Sequence, residues 1–266
     1  MVIKWLNRVL QFTLLSSFLF SCGAPSPIIQ HGEKPNIVLI LIDDLGKEWI
    51  SSYGANDITT PNIDALARSG LKFNNAYCMP QCTPSRVTLL TGQYPFRHGW
   101  VNHWDVPRWG GGAHFDETMN PSLPLEIKKA GYQTCIAGKW QIDDFRVEPD
   151  ALTRNGFDDY CMWTGYETGV EASANRYQNP YLFTKEGSST YAGRFGPEVF
   201  REFIEAFIHA NQDSSFFVYY PMVLPHTPLV NTPDETADSD LGRHQAMVRF
   251  VDKNVGSILN TLDEVG

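Results

Sequence analysis

Asn36-Ile37-Val38-Leu39-Ile40-Leu41-Ile42 runs directly into Asp43-Asp44. Six consecutive apolar residues, most of them β-branched, read as a strand buried on both faces, the mark of a parallel sheet. In open α/β sheets ligands bind just beyond the carboxyl ends of strands. The two aspartates therefore stand where chemistry is expected, and paired carboxylates repel unless a cation or a proton lies between them.

Downstream, strands alternate with helices. Thr60-Pro61 opens a helix, with Thr60 as N-cap and Pro61 at the first helical position, running through Ile63 and Leu66 to Gly70. Thr83-Pro84 repeats that signal ahead of Val87, Leu89 and Leu90, closing at Gly92. Pro124 opens a third helix from Leu125 to Ala130, before Gly131. A short strand spans Tyr132 to Ala137 and leads into Gly138-Lys139-Trp140. A helix from Pro197 to Ala210 sets Val199, Phe203, Ala206 and Phe207 on one face. Phe216 to Tyr220 is a second buried strand, followed by Pro225-His226-Thr227-Pro228, and an amphipathic helix spans Leu241 to Leu262. Residues 143–195 read as loops and short elements. The fold class is α/β, a mostly parallel central sheet with helices on both faces.

The chain has 266 residues, a formal net charge of −9 and a sequence pI of about 5.2, with 13% aromatics. An acidic chain without a clustered basic face excludes nucleic acid as a partner. An anionic substrate must therefore meet locally assembled positive charge. Lys4 and Arg8 precede an apolar run from Val9 to Phe20, a signal peptide too short for a membrane span. The run ends in Leu19-Phe20-Ser21-Cys22, which resembles a bacterial lipobox. Residues 1–22 are thus a leader with Cys22 as the site of lipidation, and residues 23–34 a polar tether. The expected location is the periplasm, the outer membrane or the cell surface. Five cysteines (Cys22, Cys78, Cys82, Cys135, Cys161) allow at most one internal bridge once Cys22 and Cys82 are otherwise committed.

Cys82-Thr83-Pro84-Ser85-Arg86 carries the chemistry. Cys82 lies immediately before a helix N-terminus, where free N–H groups and the helix dipole favour negative charge. Arg86 lies within reach to orient an anion beside it. C-x-P-S-R followed by Leu90-Thr91-Gly92 is similar to the sulfatase signature. The other matches come in family order: Lys34-Pro35-Asn36, Asp43-Asp44-Leu45-Gly46, Thr60-Pro61-Asn62-Ile63-Asp64, Gly131-Tyr132, Gly138-Lys139-Trp140 and Pro225-His226-Thr227-Pro228. Residues 35–266 thus resemble the N-terminal, incomplete portion of an alkaline-phosphatase-like sulfatase domain.

That resemblance implies hydrolysis of a sulfate monoester, with a sulfated glycan as the substrate expected for an exported enzyme. Cys82 would be oxidised to formylglycine by a formylglycine-generating or anaerobic sulfatase-maturating enzyme. A hydrated aldehyde attacks sulfur with one hydroxyl and ejects sulfate through the other. Asp43, Asp44 and the modified Cys82 would bind calcium. Arg86 would hold the formylglycine, Lys139 would contact the sulfate oxygens, and His226 would protonate or orient the leaving oxygen. Two departures stand out. Gln141 replaces the histidine that usually follows Gly-Lys-Trp, and Gln cannot transfer a proton at neutral pH, so it would serve as a substrate contact. The family's Asp-Asn pair and further Lys lie beyond the helix that ends this chain, so the calcium shell is half present. Two alternatives remain. One is a truncated, non-catalytic sulfatase-like protein. The other is a related phosphoester hydrolase, against which the cysteine at position 82 speaks. Specificity is expected in residues 97–120 and 143–195, with Trp100, His103, Trp104 and Trp109 as aromatic candidates.

Overall fold

The computed structural model describes residues 34–102, 115–163, 165, 167 and 169–266. The leader, Cys22, most of the tether, and His103, Trp104 and Trp109 lie outside the described residues. The unit from Pro35 to Gly266 is an α/β layer fold. Its six strands are β1 (Ile37–Leu41), β2 (Gln133–Lys139), β3 (Asp159–Trp163), β4 (Tyr181–Thr184), β5 (Gly187–Thr190) and β6 (Phe216–Pro221). They lie in the order β1-β6-β2-β3-β4-β5. The first four in that order are parallel, and β4 and β5 form an antiparallel hairpin edge.

The main helices are α1 (Pro61–Ser69), α2 (Cys82–Thr91), α3 (Leu123–Lys129), α4 (Gly196–Ala210) and α5 (Asp240–Val265). Side chains alternate across the sheet, as the two-residue period of strands requires. Cys135, Ala137, Phe216, Val218 and Tyr220 face α4 and α5. Ile136, Met162, Phe217 and Tyr219 face Val87 and Leu90 of α2 together with Trp140 and Phe157. Two buried layers thus clasp the sheet. Among the described residues no helix is long and apolar enough to cross a membrane.

Several local expectations shift. β1 is only half-buried along its length, because it ends the strand order, whereas β6, inside the sheet, is buried throughout. α4 buries Phe200, Ile204 and Ile208 beside Val199 and Phe207. Phe203 is half-buried and Ala206 exposed, since the i, i+4, i+8 row meets the sheet. The strand expected to end at Ala137 continues to Lys139. Gly138 allows this, with φ 131°, because a Cβ there would meet the Pro221 carbonyl oxygen at 2.0 Å. Residues 143–195 hold β3, β4 and β5.

The Thr60-Pro61-Asn62-Ile63-Asp64 segment is a clamp. Asp252 of α5, 3% exposed, accepts from Asn62 N at 3.1 Å, Ile63 N at 2.9 Å and Asn62 Nδ2 at 2.8 Å. A carboxylate from another helix thereby satisfies the free N–H groups of the first turn of α1. Asp64 accepts from Ser51 Oγ at 2.6 Å and Ser52 N at 2.8 Å. The Thr60 hydroxyl, expected to cap the helix, is engaged with Ser51 instead.

Candidate active site

The loops after β1 and β6 zip together beyond the sheet. Met222 N donates to Leu41 O at 2.8 Å, and Asp43 N donates to Leu224 O at 3.0 Å. This fixes Asp43 at the strand end, 4% exposed, where both its oxygens accept from cations. Lys139 Nζ lies 2.6 Å from Oδ2 and Arg86 Nη2 3.2 Å from Oδ1. Arg86 also donates from Nη1 to Lys139 O at 2.7 Å. β1, α2 and β2 are thereby tied by one buried cluster, with Lys139 1% and Arg86 2% exposed. Burial pushes the Asp43 carboxyl up, but Arg86 and Lys139 overcome this and hold it below the usual carboxylate range. Burial pulls the Lys139 ammonium down more than Asp43 raises it. Two cations on one carboxylate leave one formal positive charge under the site, in a chain whose net charge is −9.

Asp44 takes φ 59°, a left-handed conformation that Asp tolerates better than most residues. Its side chain is exposed, with Oδ2 3.5 Å from His226 Nε2. Cys82 is the first residue of α2, with Gln81 as the extended N-cap. The helix starts two residues earlier than Thr83-Pro84 suggested, and the Thr83 hydroxyl donates to the Gln141 carbonyl at 3.1 Å rather than capping α2. Asp43, Asp44, Cys78, Cys82, Ser85 and Arg86 line one cleft of about 310 Å³.

A model of the Sulfatase family matches residues 35–266. The chain belongs to the sulfatase family. This sulfatase is 32% identical to the N-acetylgalactosamine-6-sulfatase of Rattus norvegicus, over 93% of this chain and 49% of the rat protein. It is 28% identical to the N-acetylgalactosamine-6-O-sulfatase of Bacteroides thetaiotaomicron, over 89% of this chain and 57% of that protein. It superimposes on the crystal structure of Ps i-CgsB in complex with k-i-k-neocarrahexaose with a TM-score of 0.72 and 27% identity, covering 88% of this chain and 56% of that one. The chain spans about half the length of the curated relatives it matches. The sheet and its two helical layers are those of the alkaline-phosphatase-like sulfatase fold.

The sulfatase fold brings Asp43, Asp44, Cys82 and Arg86 to one cleft, sets Lys139 against Asp43, and holds His226 against Asp44. Like Lys139 and His226, Gln141 is not among the residues lining that cleft. It sits at φ 55°, 8% exposed, packed on Gly165, with its side-chain oxygen unpaired. Trp100 is buried, with its ring centroid 5.8 Å from that of Phe115. Cys78, Cys82, Cys135 and Cys161 are all free.

Calcium takes about six to eight oxygen ligands. Asp43 and Asp44 supply the right donor chemistry from adjacent positions on one cleft, Asp44 with an open carboxylate and Asp43 with each oxygen also engaged by a side-chain cation. Among the described residues, no three His, Cys, Asp or Glu side chains converge as a metal site. The donors present fit one side of a calcium shell.

Two residues of the site escaped sequence reasoning. Arg176 Nη2 lies 2.9 Å from His226 Nδ1, with its guanidinium 4.6 Å from the Trp163 ring centroid and 5.2 Å from that of Tyr177. The Tyr177 hydroxyl sits between the carbonyl oxygens of Val223 (2.8 Å) and His226. Both residues lie in an irregular stretch with no periodicity or motif to mark them.

Proposed function

We propose that this chain carries the nucleophile of an exported sulfuric ester hydrolase that removes sulfate from a sulfated glycan, after Cys82 has been oxidised to formylglycine. One observation carries the proposal. Cys82 opens α2 on the same cleft as Asp43 and Asp44, above a buried cluster with an excess positive charge. The glycan is supported by the names of two relatives, both N-acetylgalactosamine-6-sulfatases, and by the k-i-k-neocarrahexaose in the structure of a third.

Asp43 and Asp44 would hold calcium, which supplies electrostatic stabilisation of charge on the sulfuryl oxygens. Formylglycine supplies a hydrated aldehyde, a nucleophile that can also release the sulfate it accepts. The chain's own residues do the positioning. Arg86 fixes Asp43 and the end of β2, so the floor of the cleft is set before substrate arrives. Lys139, buried and already paired, contributes fixed positive charge toward a bound anion. His226 sets Nε2 beside Asp44, 3.5 Å from Oδ2, and would give a hydrogen bond or proton to the departing oxygen. The leader and Cys22 would place the protein, through a lipid anchor, in the periplasm, at the outer membrane or at the cell surface.

Mass spectrometry of peptides from the protein coexpressed with a maturation enzyme is expected to show the aldehyde at position 82. A persistent thiol there, beside a matured control sulfatase from the same cells, overturns the proposal. Labelled palmitate should enter the wild-type protein and not Cys22→Ala; equal labelling, or none in either, excludes the anchor.

A further inference from the structure

We propose that Arg176 is a positioning residue that holds His226 in the tautomer carrying its proton on Nε2, the nitrogen facing Asp44. What this means for catalysis rests on the role proposed above for His226; the tautomer itself does not.

A guanidinium has donors only and stays protonated in proteins. Its contact with Nδ1 at 2.9 Å is therefore a hydrogen bond only if Nδ1 offers a lone pair. A neutral imidazole with a bare Nδ1 has its hydrogen on Nε2. The carboxylate oxygen nearest to it is Asp44 Oδ2, 3.5 Å away, beyond ordinary hydrogen-bond length, so the Arg176 contact sets the tautomer. The opposite tautomer would aim a lone pair at that carboxylate and leave no hydrogen for a departing oxygen.

A second neighbour asks for the reverse. Thr227 O lies 2.6 Å from the same Nδ1, and a carbonyl can only accept. One nitrogen cannot serve both. Two features favour Arg176. A hydrogen bond from a charged donor is roughly twice as strong as one between neutral groups. The guanidinium is also already ordered, lying over the rings of Trp163 and Tyr177. Among the described residues no carboxylate pairs with Arg176 to draw it away. The Tyr177 hydroxyl, at the carbonyl of His226, anchors the loop in place. The position of Trp163 is fixed by the parallel register that sets it beside Lys139. The sheet thus carries the ring on which Arg176 rests.

Nitrogen-15 spectra of histidine-labelled protein read the tautomer directly, with His226→Gln identifying the resonances. The wild type is expected to show an unprotonated Nδ1 and a protonated Nε2. Arg176→Ala should move the hydrogen to Nδ1, where it bonds Thr227 O, and Arg176→Lys should retain much of the wild-type pattern. Backbone amide spectra matching the wild type establish that the variants fold. With matured enzyme and an aryl sulfate, Arg176→Ala should lower kcat about tenfold while KM stays within about twofold, the signature of a lost transition-state contact. A wild-type hydrogen on Nδ1 overturns the proposal even if no variant folds. So does an unchanged tautomer in Arg176→Ala, whatever its activity. Failure to find formylglycine at position 82 would remove the enzyme proposal and leave the tautomer result standing.

Discussion

Asp43 and Asp44 are neighbours in the chain and opposites in the structure. Asp43 is 4% exposed and receives Lys139 and Arg86 on its two oxygens. Asp44, turned by a left-handed φ, is 62% exposed and lies 3.5 Å from His226 Nε2. A dipeptide that reads as one acidic motif therefore splits into two devices. One is a buried charge that joins β1, α2 and β2; the other is an open arm on the cleft. Substitution at the two positions should separate stability from ligand binding.

The largest effect is expected at Asp43. In Asp43→Asn, Arg86 and Lys139 remain buried without a counter-charge, and breaking a buried pair from one side costs about 3–5 kcal/mol. Urea unfolding should show a midpoint lowered accordingly at neutral pH. The pH dependence adds a second check. Asp43 is held below its unfolded value of about 3.9. A carboxyl depressed in the folded state contributes stability above that unfolded value, and the contribution is lost as pH falls through the folded one. Wild-type stability should therefore decline below about pH 4, with the carboxyl's share of that decline missing in Asp43→Asn. Equal midpoints for the two proteins would mean that the cluster does not hold the three elements together.

A buried carboxylate with neutral partners should matter less. Among the described residues, Asp252 accepts from N–H groups of α1 and pairs with no cation. Asp252→Ala leaves the amides of Asn62 and Ile63 without acceptors, for a loss of about 2 kcal/mol. Hydrogen exchange should report the release of α1 through faster exchange of those two amides. If Asp252→Ala costs as much as Asp43→Asn, burial rather than charge pairing sets the scale.

The same contrast marks what could be read from the chain. Apolar runs such as Phe216–Tyr220 and the starts at Thr60-Pro61 carry local signals, so the α/β class and most helices were legible. Their ends were less so, because tertiary bonds reassign the capping groups, as the Thr83 hydroxyl on Gln141 shows. β3 (Asp-Tyr-Cys-Met-Trp) has no clean alternation, and β4 and β5 are four residues each. Cys82, Arg86 and Lys139 stood out because their spacing matches a known pattern. Arg176 did not, because its partner His226 is 50 residues away and only the fold brings them together.

The smallest effect on stability is expected at Asp44, and there the comparison is most exposed. An open carboxylate 3.5 Å from an imidazole contributes little to folding, since exposed ion pairs are worth about 0–1 kcal/mol. Asp44→Asn should therefore unfold within about 0.5 kcal/mol of the wild type. Calcium is a different matter, because one of the two hard anionic oxygen groups on the cleft becomes a neutral amide. Titration calorimetry with calcium alone should show weaker binding in Asp44→Asn than in the wild type, at an unchanged unfolding midpoint. If calcium binding survives, the cation does not use this arm. If stability falls as far as in Asp43→Asn, the two aspartates act as one unit, and the division between a carboxylate that also carries stability and one that serves only the cation is wrong.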